Sequence, residues 1–248
     1  MADQSVKRVA LGDLKRGQEV MKGLKTVVDL VFLIDGTGSM QNALDAVKAR
    51  ALTLYKDIIY ALKDKKRIVS TMRVKVVIFR DLYVDSVAYE ESDYFILSDK
   101  DDDESAAFRD YVSGIRACGG GDEPEHALEA LHRALKLNYT QPRQGMKARH
   151  IIVLMTDASA HPLDDPQRSL PEYRDFYPGD MPKTMSELNA EWEMMDDRAR
   201  HLIIFAPNAY PWPKMGTWSG ASHEVSEAGK GISETVFEKV IATISGSV

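Results

Sequence analysis

Short apolar runs alternate along the chain with stretches in which apolar residues recur every three or four positions, the two periods of strands and helices. Val27 to Ile34 (VVDLVFLI) is nearly all apolar and β-branched at several positions, the pattern of a strand buried on both faces of a parallel sheet. It stops at Asp35-Gly-Thr-Gly-Ser39, after which Leu44, Val47, Ala51, Leu54, Ile58 and Leu62 mark one face of a long helix starting near Ser39. Val74 to Phe79 predicts a second strand running into Arg80-Asp81, and Tyr94 to Leu97 a short third strand on a sheet edge. Helices are expected over Ala106 to Ile115 and Pro124 to Leu137, where Pro124 fits the first turn because its missing N–H loses nothing there. His150 to Met155 reads as the next buried strand and ends in Thr156-Asp157. Met185, Leu188, Trp192 and Met195 share a helical face, His201 to Ala206 is a further strand, His223 to Ser226 a weaker one, and Ile232 to Ile244 a closing helix.

Strands alternating with helices imply an α/β fold, Rossmann-like and doubly wound: a mainly parallel central sheet, helices on both faces and one antiparallel edge strand. At 248 residues and 44% apolar composition, one elaborated domain over 27–248 fits better than two small ones. Residues 1–26 read as a leader segment outside the sheet, and 158–182, rich in Pro, Asp and aromatic residues without a period, as a loop insertion. The net charge is −6 with scattered basic residues, which argues against nucleic acid and anionic membrane partners. No window approaches the ~18 uncharged apolar residues of a membrane span, and the N-terminal stretch lacks the apolar core of a signal peptide. With Cys118 as the only cysteine, a cytoplasmic, reducing location is expected.

Ligand sites in open sheets lie beyond the carboxyl ends of strands where the strand order reverses. Three segments place hard oxygen ligands at such ends: Asp35-Gly-Thr37-Gly-Ser39, Gly121-Asp122 and Thr156-Asp157. Carboxylates and hydroxyls without paired His or Cys suit Mg²⁺, with Mn²⁺ or Ca²⁺ as alternatives, and disfavour zinc. Read alone, Asp-Gly-Thr-Gly-Ser is also a common helix-capping turn, and Asp122 an N-cap for a helix beginning at Pro124.

Asp35-Gly-Thr37-Gly-Ser39-Met40 resembles the Asp-x-Ser/Thr-x-Ser metal-ion-dependent adhesion site (MIDAS) motif of von Willebrand factor A (VWA) domains. The resemblance continues through Gly120-Gly121-Asp122 and Leu154-Met155-Thr156-Asp157 and covers roughly residues 27 to 245. It implies that Asp35, Thr37 and Ser39 coordinate a divalent ion directly or through water, that Asp157 is a water-mediated or more distant ligand, and that Asp122 stands where the family usually carries Thr. The Gly-Gly-Gly-Asp-x-Pro-Glu loop is similar to the VWA subgroup found beside alpha-kinases and in bacterial relatives. Three aspartates over-neutralise a divalent ion, so its open position should favour water or a neutral oxygen over a partner carboxylate. The resemblance implies no enzyme but a metal-dependent adaptor for a protein partner, with an ATPase, kinase or phosphatase as candidates.

The same motif is similar to the Asp-Lys-Thr-Gly-Thr motif of haloacid-dehalogenase-type phosphotransferases, with Asp35 as nucleophile beside Mg²⁺. Lys183 and Asp196-Asp197 are the partners such an enzyme would need, but Asp196-Asp197 falls in a predicted helix rather than at a strand end. Arg80-Asp81 reads as a surface ion pair, with contact to the ion's water shell as the alternative. His161 reads as a solvated loop histidine, with a partner or ligand contact as the alternative, and Asp99 to Glu104 (DKDDDE) as a solvated helix start. Trp192 with Met185, Leu188 and Met195 belongs to the core. Tyr210, Trp212 and Trp218, on the rim of the metal site, either anchor a partner or pack beneath their loop.

Overall fold

The computed structural model describes residues 25–51, 53–64, 69–97, 102–121, 123–174, 177–226 and 234–247. The central strand, β1 (Lys25–Asp35), decides where the core lies, because its side chains alternate between two buried layers. Val28, Leu30, Phe32 and Ile34 face one layer, and Val31 and Leu33 the other. β1 pairs in parallel with β2 (Val69–Phe79) on one side and β5 (Met146–Met155) on the other; β6 (Arg200–Ala206) and β7 (Ala221–Val225) follow in parallel beyond β5. Beyond β2, the short strands β3 (Tyr89–Glu91) and β4 (Phe95–Leu97) both run antiparallel to it. The sheet thus has 7 strands in the order β3-β2-β1-β5-β6-β7, with β4 beside β2.

The doubly wound architecture agrees with the reading from the pattern, but the antiparallel edge is built from two pieces rather than one strand. Ser92 interrupts it: its N–H donates to the Val76 carbonyl (2.9 Å), and its Oγ accepts the Val76 N–H (3.0 Å). A side chain thus completes the ladder, and Tyr-Glu-Glu, with no apolar alternation, gives β3 no strand signal.

Helices α1 (Gln41–Ala51), α2 (Leu54–Asp64), α3 (Asp102–Gly114) and α8 (Glu234–Ser247) contribute to the first layer, where Leu44, Ile58, Phe108 and Val240 are buried. On the second layer lie α4 (Ala127–Leu135), α6 (Met185–Met194) and the single turn α7 (Trp212–Met215), burying Leu131, Trp192 and Trp212. The one long helix expected from Ser39 to Leu62 is instead a 3-10 turn at Gly38–Met40 followed by α1 and α2. Thr53 donates to the Arg50 carbonyl at 3.0 Å, a tight i→i−3 bond that ends α1, and its own carbonyl accepts from Asp57 N (2.9 Å) to start α2. The break lets α1 pack on α3 while α2 packs on α8. Among the described residues no helix is long and apolar enough to cross a membrane.

Other boundaries moved. Helix α4 begins at Ala127, not Pro124, with His126 at its N-cap; Asp122, read as a cap, lies outside the described residues. Residues 158–182 are less loop-like than expected, with a 3-10 turn at Pro166–Ser169, the short helix α5 (Pro171–Arg174), and Leu163 and Met181 buried in the second layer. The expected leader lies outside the described residues except for Lys25 and Thr26, which open β1. Asp99 to Asp101 also lie outside them, and α3 starts at Asp102.

A buried ion pair sits in the sheet. Asp29 of β1 is fully buried and accepts from Arg73 Nε and Nη2 (both 2.7 Å), Thr140 N (2.6 Å) and Thr140 Oγ1 (3.1 Å). Removing one member of a buried ion pair leaves the other charge uncompensated. Arg73→Ala is expected to lower unfolding free energy in urea by about 3 kcal/mol, the low end of that range because Thr140 still donates. A change below about 1 kcal/mol would contradict this role.

Candidate functional site

The strand register brings the carboxyl ends together: Asp35 lies beside Phe79, and Ile34 beside Met155, which in turn pairs with Phe205. After β1 the chain crosses to β2 on one side, whereas β5 adds on the other, so the strand order reverses between β1 and β5. Asp35 and Thr156-Asp157 sit at that reversal, where a crevice opens in sheets of this kind.

Asp35 is fully buried. Its Oδ1 accepts from Thr37 N (2.9 Å) and Thr37 Oγ1 (2.7 Å), and its Oδ2 accepts from Thr156 Oγ1 (2.7 Å). From there the oxygens step outward: Thr37 Oγ1 lies 3.3 Å from Ser39 Oγ, which donates to Asp157 Oδ1 at 3.0 Å. Four of the five residues singled out in the sequence therefore converge. Asp122 lies outside the described residues; its neighbour Gly121 lines the same cleft, a space of about 590 Å³ bounded also by Ser39, Glu123, Glu125 and Asp157.

The loop opposite Asp35 is built for close approach. Gly120 has φ +75°, and a Cβ there would lie 2.9 Å from Thr37 Cβ, so only glycine fits. Cys118 N donates to Gly36 O (2.9 Å), Gly38 N to Gly119 O (3.2 Å), and Gly120 N to Asp85 (3.2 Å). Arg80 fastens these pieces from below. Rather than forming a surface pair, it is buried, donating to the carbonyls of Gly36, Cys118, Val87 and Arg116 at 3.0–3.2 Å and pairing with Glu90 at 2.6 Å. Backbone carbonyls left without donors at a tight turn make this buried position favourable for a guanidinium with five N–H groups.

Among the described residues that line the cleft none is basic. Burial, with help from Asp157, pushes the Asp35 carboxyl up to about 6 despite its three donors. Burial and the charges of Asp35, Asp81, Asp85 and Asp157 push Glu125 up to about 9, and Glu125 Oε2 has no hydrogen-bond partner among the described residues. Glu125 and Thr156 were not singled out as site residues, although both stand inside segments that were, one at the end of the Gly-Gly-Gly-Asp-x-Pro-Glu loop and one before Asp157. The donor set is entirely oxygen, and successive separations of 2.7–3.3 Å match the ~3 Å edge of an octahedron whose metal–oxygen bonds are ~2.1 Å.

Other candidates fall elsewhere. His161 is buried, not solvated, and lies with Asp81 and His126 on the far side of Glu125. Asp196 and Asp197 lie in the turn leading into β6, at the amino end of a parallel strand and so across the sheet from Asp35. Trp212 is fully buried with Nε1 donating to Ala158 O (2.9 Å), and Trp218 packs against the second layer, leaving Tyr210 as the exposed member of that aromatic set.

A doubly wound sheet with hydroxyl and carboxylate oxygens gathered at its β1/β5 reversal defines a class of α/β domains with a cleft at the strand tips. The von Willebrand factor A domain profile matches residues 29–168, more than half of the 248 residues, and the chain belongs to that family. Among solved structures it is similar to the pilus adhesin SpaC of Lactobacillus rhamnosus GG, at 12% identity and TM-score 0.54, over 90% of this chain and 31% of the adhesin. The adhesin's open conformation gives 12% identity and TM-score 0.50 over 90% of this chain and 30% of that one. Proximal thread matrix protein 1 of the mussel byssus is more distant, at 11% identity and TM-score 0.45 over 91% and 47% of the two chains. The chain thus spans about a third of the adhesin's length. No curated protein matches it by sequence.

The raised Asp35 fixes a pH dependence. The folded protein keeps this proton up to about 6, whereas the ordinary value is 3.8, so the stability it supplies is complete at low pH and is lost as pH rises between these values. In chelator, the stability of wild type relative to Asp35→Asn should fall by on the order of 3 kcal/mol from pH 4 to pH 7 in urea unfolding. Parallel pH profiles for the two proteins would contradict it.

Proposed function

We propose that this VWA domain is a metal-ion-dependent protein-interaction module, an adaptor whose ion is held by Asp35, Thr37, Ser39, Asp122 and Asp157. The observation that carries the reading is the stepwise chain of oxygens from buried Asp35 to Ser39 and Asp157 at the mouth of the cleft. An all-oxygen set at these separations favours Mg²⁺, with Mn²⁺ or Ca²⁺ as alternatives, and the negative field of Asp81, Asp85 and Asp157 around Glu125 attracts a cation of either size. When bound, the ion supplies an open coordination position. The chain's own residues shape what reaches it: Gly120 keeps the loop close to Thr37, Glu123 lines the cleft and accepts a 3.3 Å hydrogen bond from Ser159 Oγ, and exposed Tyr210 offers an aromatic contact on the loop after β6.

A phosphotransferase reading is weaker, because all three Asp35 hydrogen bonds hold the carboxylate inward and the acidic pair it would need stands across the sheet. The partner is a protein, with an ATPase, kinase or phosphatase in a cytoplasmic setting as the candidates that the family resemblance supports.

Capture from native lysate in Mg²⁺ and in chelator, with wild-type and Asp35→Ala bait, tests the reading. Retention of a protein by wild type in Mg²⁺, and its loss both in chelator and with Asp35→Ala, is expected. In parallel, Mg²⁺ at about 100 times its dissociation constant should stabilise wild type by roughly 2.7 kcal/mol. The same retained proteins under every condition, or melting indifferent to Mg²⁺, would remove the ion from the account.

A further inference from the structure

Behind Glu125 lies a second group of polar side chains that the cleft does not use. Asp81, at the end of β2, is buried; Tyr83 N donates to its Oδ1 at 2.7 Å. His126 Nδ1 stands 3.0 Å from that same oxygen, and His161 Nε2 stands 3.6 Å from Oδ2. One donor atom from each of the three residues falls within 4.8 Å of the others. The two imidazoles lie alongside each other, centroids 4.2 Å apart, and the Tyr83 ring meets both edge-on at 4.4 and 5.0 Å.

Three features set this group apart from an ordinary hydrogen-bonded core. First, His126 Nε2 and His161 Nε2 are buried without a hydrogen-bond partner among the described residues, and His126 is 1% exposed. Leu82 N donates to His126 Nδ1 at 3.0 Å, so the ring has one bonded nitrogen and one spare. Second, His161 is oriented from behind: its Nδ1 lies 3.3 Å from Asp165 Oδ2, which also accepts from Tyr83 Oη at 3.3 Å. A carboxylate on one ring nitrogen with the other turned toward a second carboxylate is the arrangement that fixes metal-ligating histidines. Third, two buried carboxylates, Asp81 and Asp165, flank the two imidazoles.

We propose that Asp81, His126 and His161 form a second metal site, selective for a zinc-class divalent ion over Mg²⁺. Two donors bonded at ~2.0–2.1 Å to a tetrahedral ion lie ~3.3 Å apart, close to the 3.6 Å between His161 Nε2 and Asp81 Oδ2; His126 Nδ1, 3.0 Å from Asp81 Oδ1, joins them by releasing the Leu82 N–H. Two imidazole nitrogens and one carboxylate favour zinc and its neighbours, which bind nitrogen, over ions that require oxygen shells. The double positive charge offsets Asp81 and Asp165 together. Three protein donors leave the fourth position to water. His161 and Asp165, each with about 10% of its side chain exposed, form the route by which the ion enters. The site shares no residue with the Asp35 cleft and does not rest on the function proposed for it. It touches that cleft through structure: Asp81 N donates to Asp85 Oδ2 (3.2 Å), Asp85 accepts from Gly120 N, and His161 N donates to Glu125 O (3.0 Å).

Cobalt substitution tests the site on the untagged full chain. Metal-stripped protein in excess Mg²⁺, titrated with Co²⁺, should develop the visible absorption of a four-coordinate ion at one equivalent, and Zn²⁺ should displace it. Asp35→Ala and His132→Ala, the latter removing a histidine bonded to Glu191 instead, should keep the band. His161→Ala should lose it, and Asp165→Asn should weaken Co²⁺ binding roughly 10–100-fold. If His161→Ala fails to fold, wild type alone decides: Co²⁺ should shift the imidazole resonances of two of the six histidines far outside the normal proton window. No visible band, a band retained by folded His161→Ala, or no shifted imidazole signals would overturn the site.

Discussion

A carboxylate with no access to water closes the central strand, and the architecture around it exists to make that tolerable. Asp35 sits between three donors, two from the turn that follows it and one from Thr156 on the neighbouring strand. Even so, burial outweighs the hydrogen bonds and holds the group well above its ordinary value. A site in this condition gains from any cation that approaches, and Thr37, Ser39 and Asp157 extend it outward to the surface.

The close-packed loop and the buried guanidinium follow from the same constraint. Gly120 must come close to Thr37 to close the cleft, and the loop carrying it is held by Asp85 on one side and by Arg80, through Cys118, on the other. Arg80 also holds the Gly36 carbonyl, so the turn after Asp35 and the facing loop share one anchor. Glu125 belongs to this unit through its buried carboxyl, while its neighbour His126 faces away toward Asp81. One short segment, Glu125-His126, separates an all-oxygen cleft from a nitrogen-bearing cluster, and hard and borderline ions need not compete between them.

Much of this was readable from periodicity. Continuous apolar runs gave the buried parallel strands, and glycine-rich breaks after them gave the crevice, because both patterns follow from local backbone and burial rules. Asp29 was not readable: a lone acid in VVDLVFLI carries no sign of Arg73 and Thr140, which meet it from distant parts of the chain. The same holds for His161 and Arg80, whose burial depends on what folds over them. The division of the first long helix into α1 and α2 was also hidden, since its apolar spacing continues unbroken across the turn at Thr53. Within the site, the residues on contiguous motifs were legible, whereas Thr156 and Glu125 gained their roles only when β1, β5 and the Gly119–Gly121 loop came together.

The most direct measurement of the central claim is anomalous diffraction from crystals of the full chain grown with Mn²⁺. A peak within coordinating distance of Ser39 Oγ, bounded by Thr37 and Asp157 with Asp35 beneath it, is the result this account predicts. A cleft without anomalous density in saturating Mn²⁺, with Ser39 still bonded to Asp157, would contradict it.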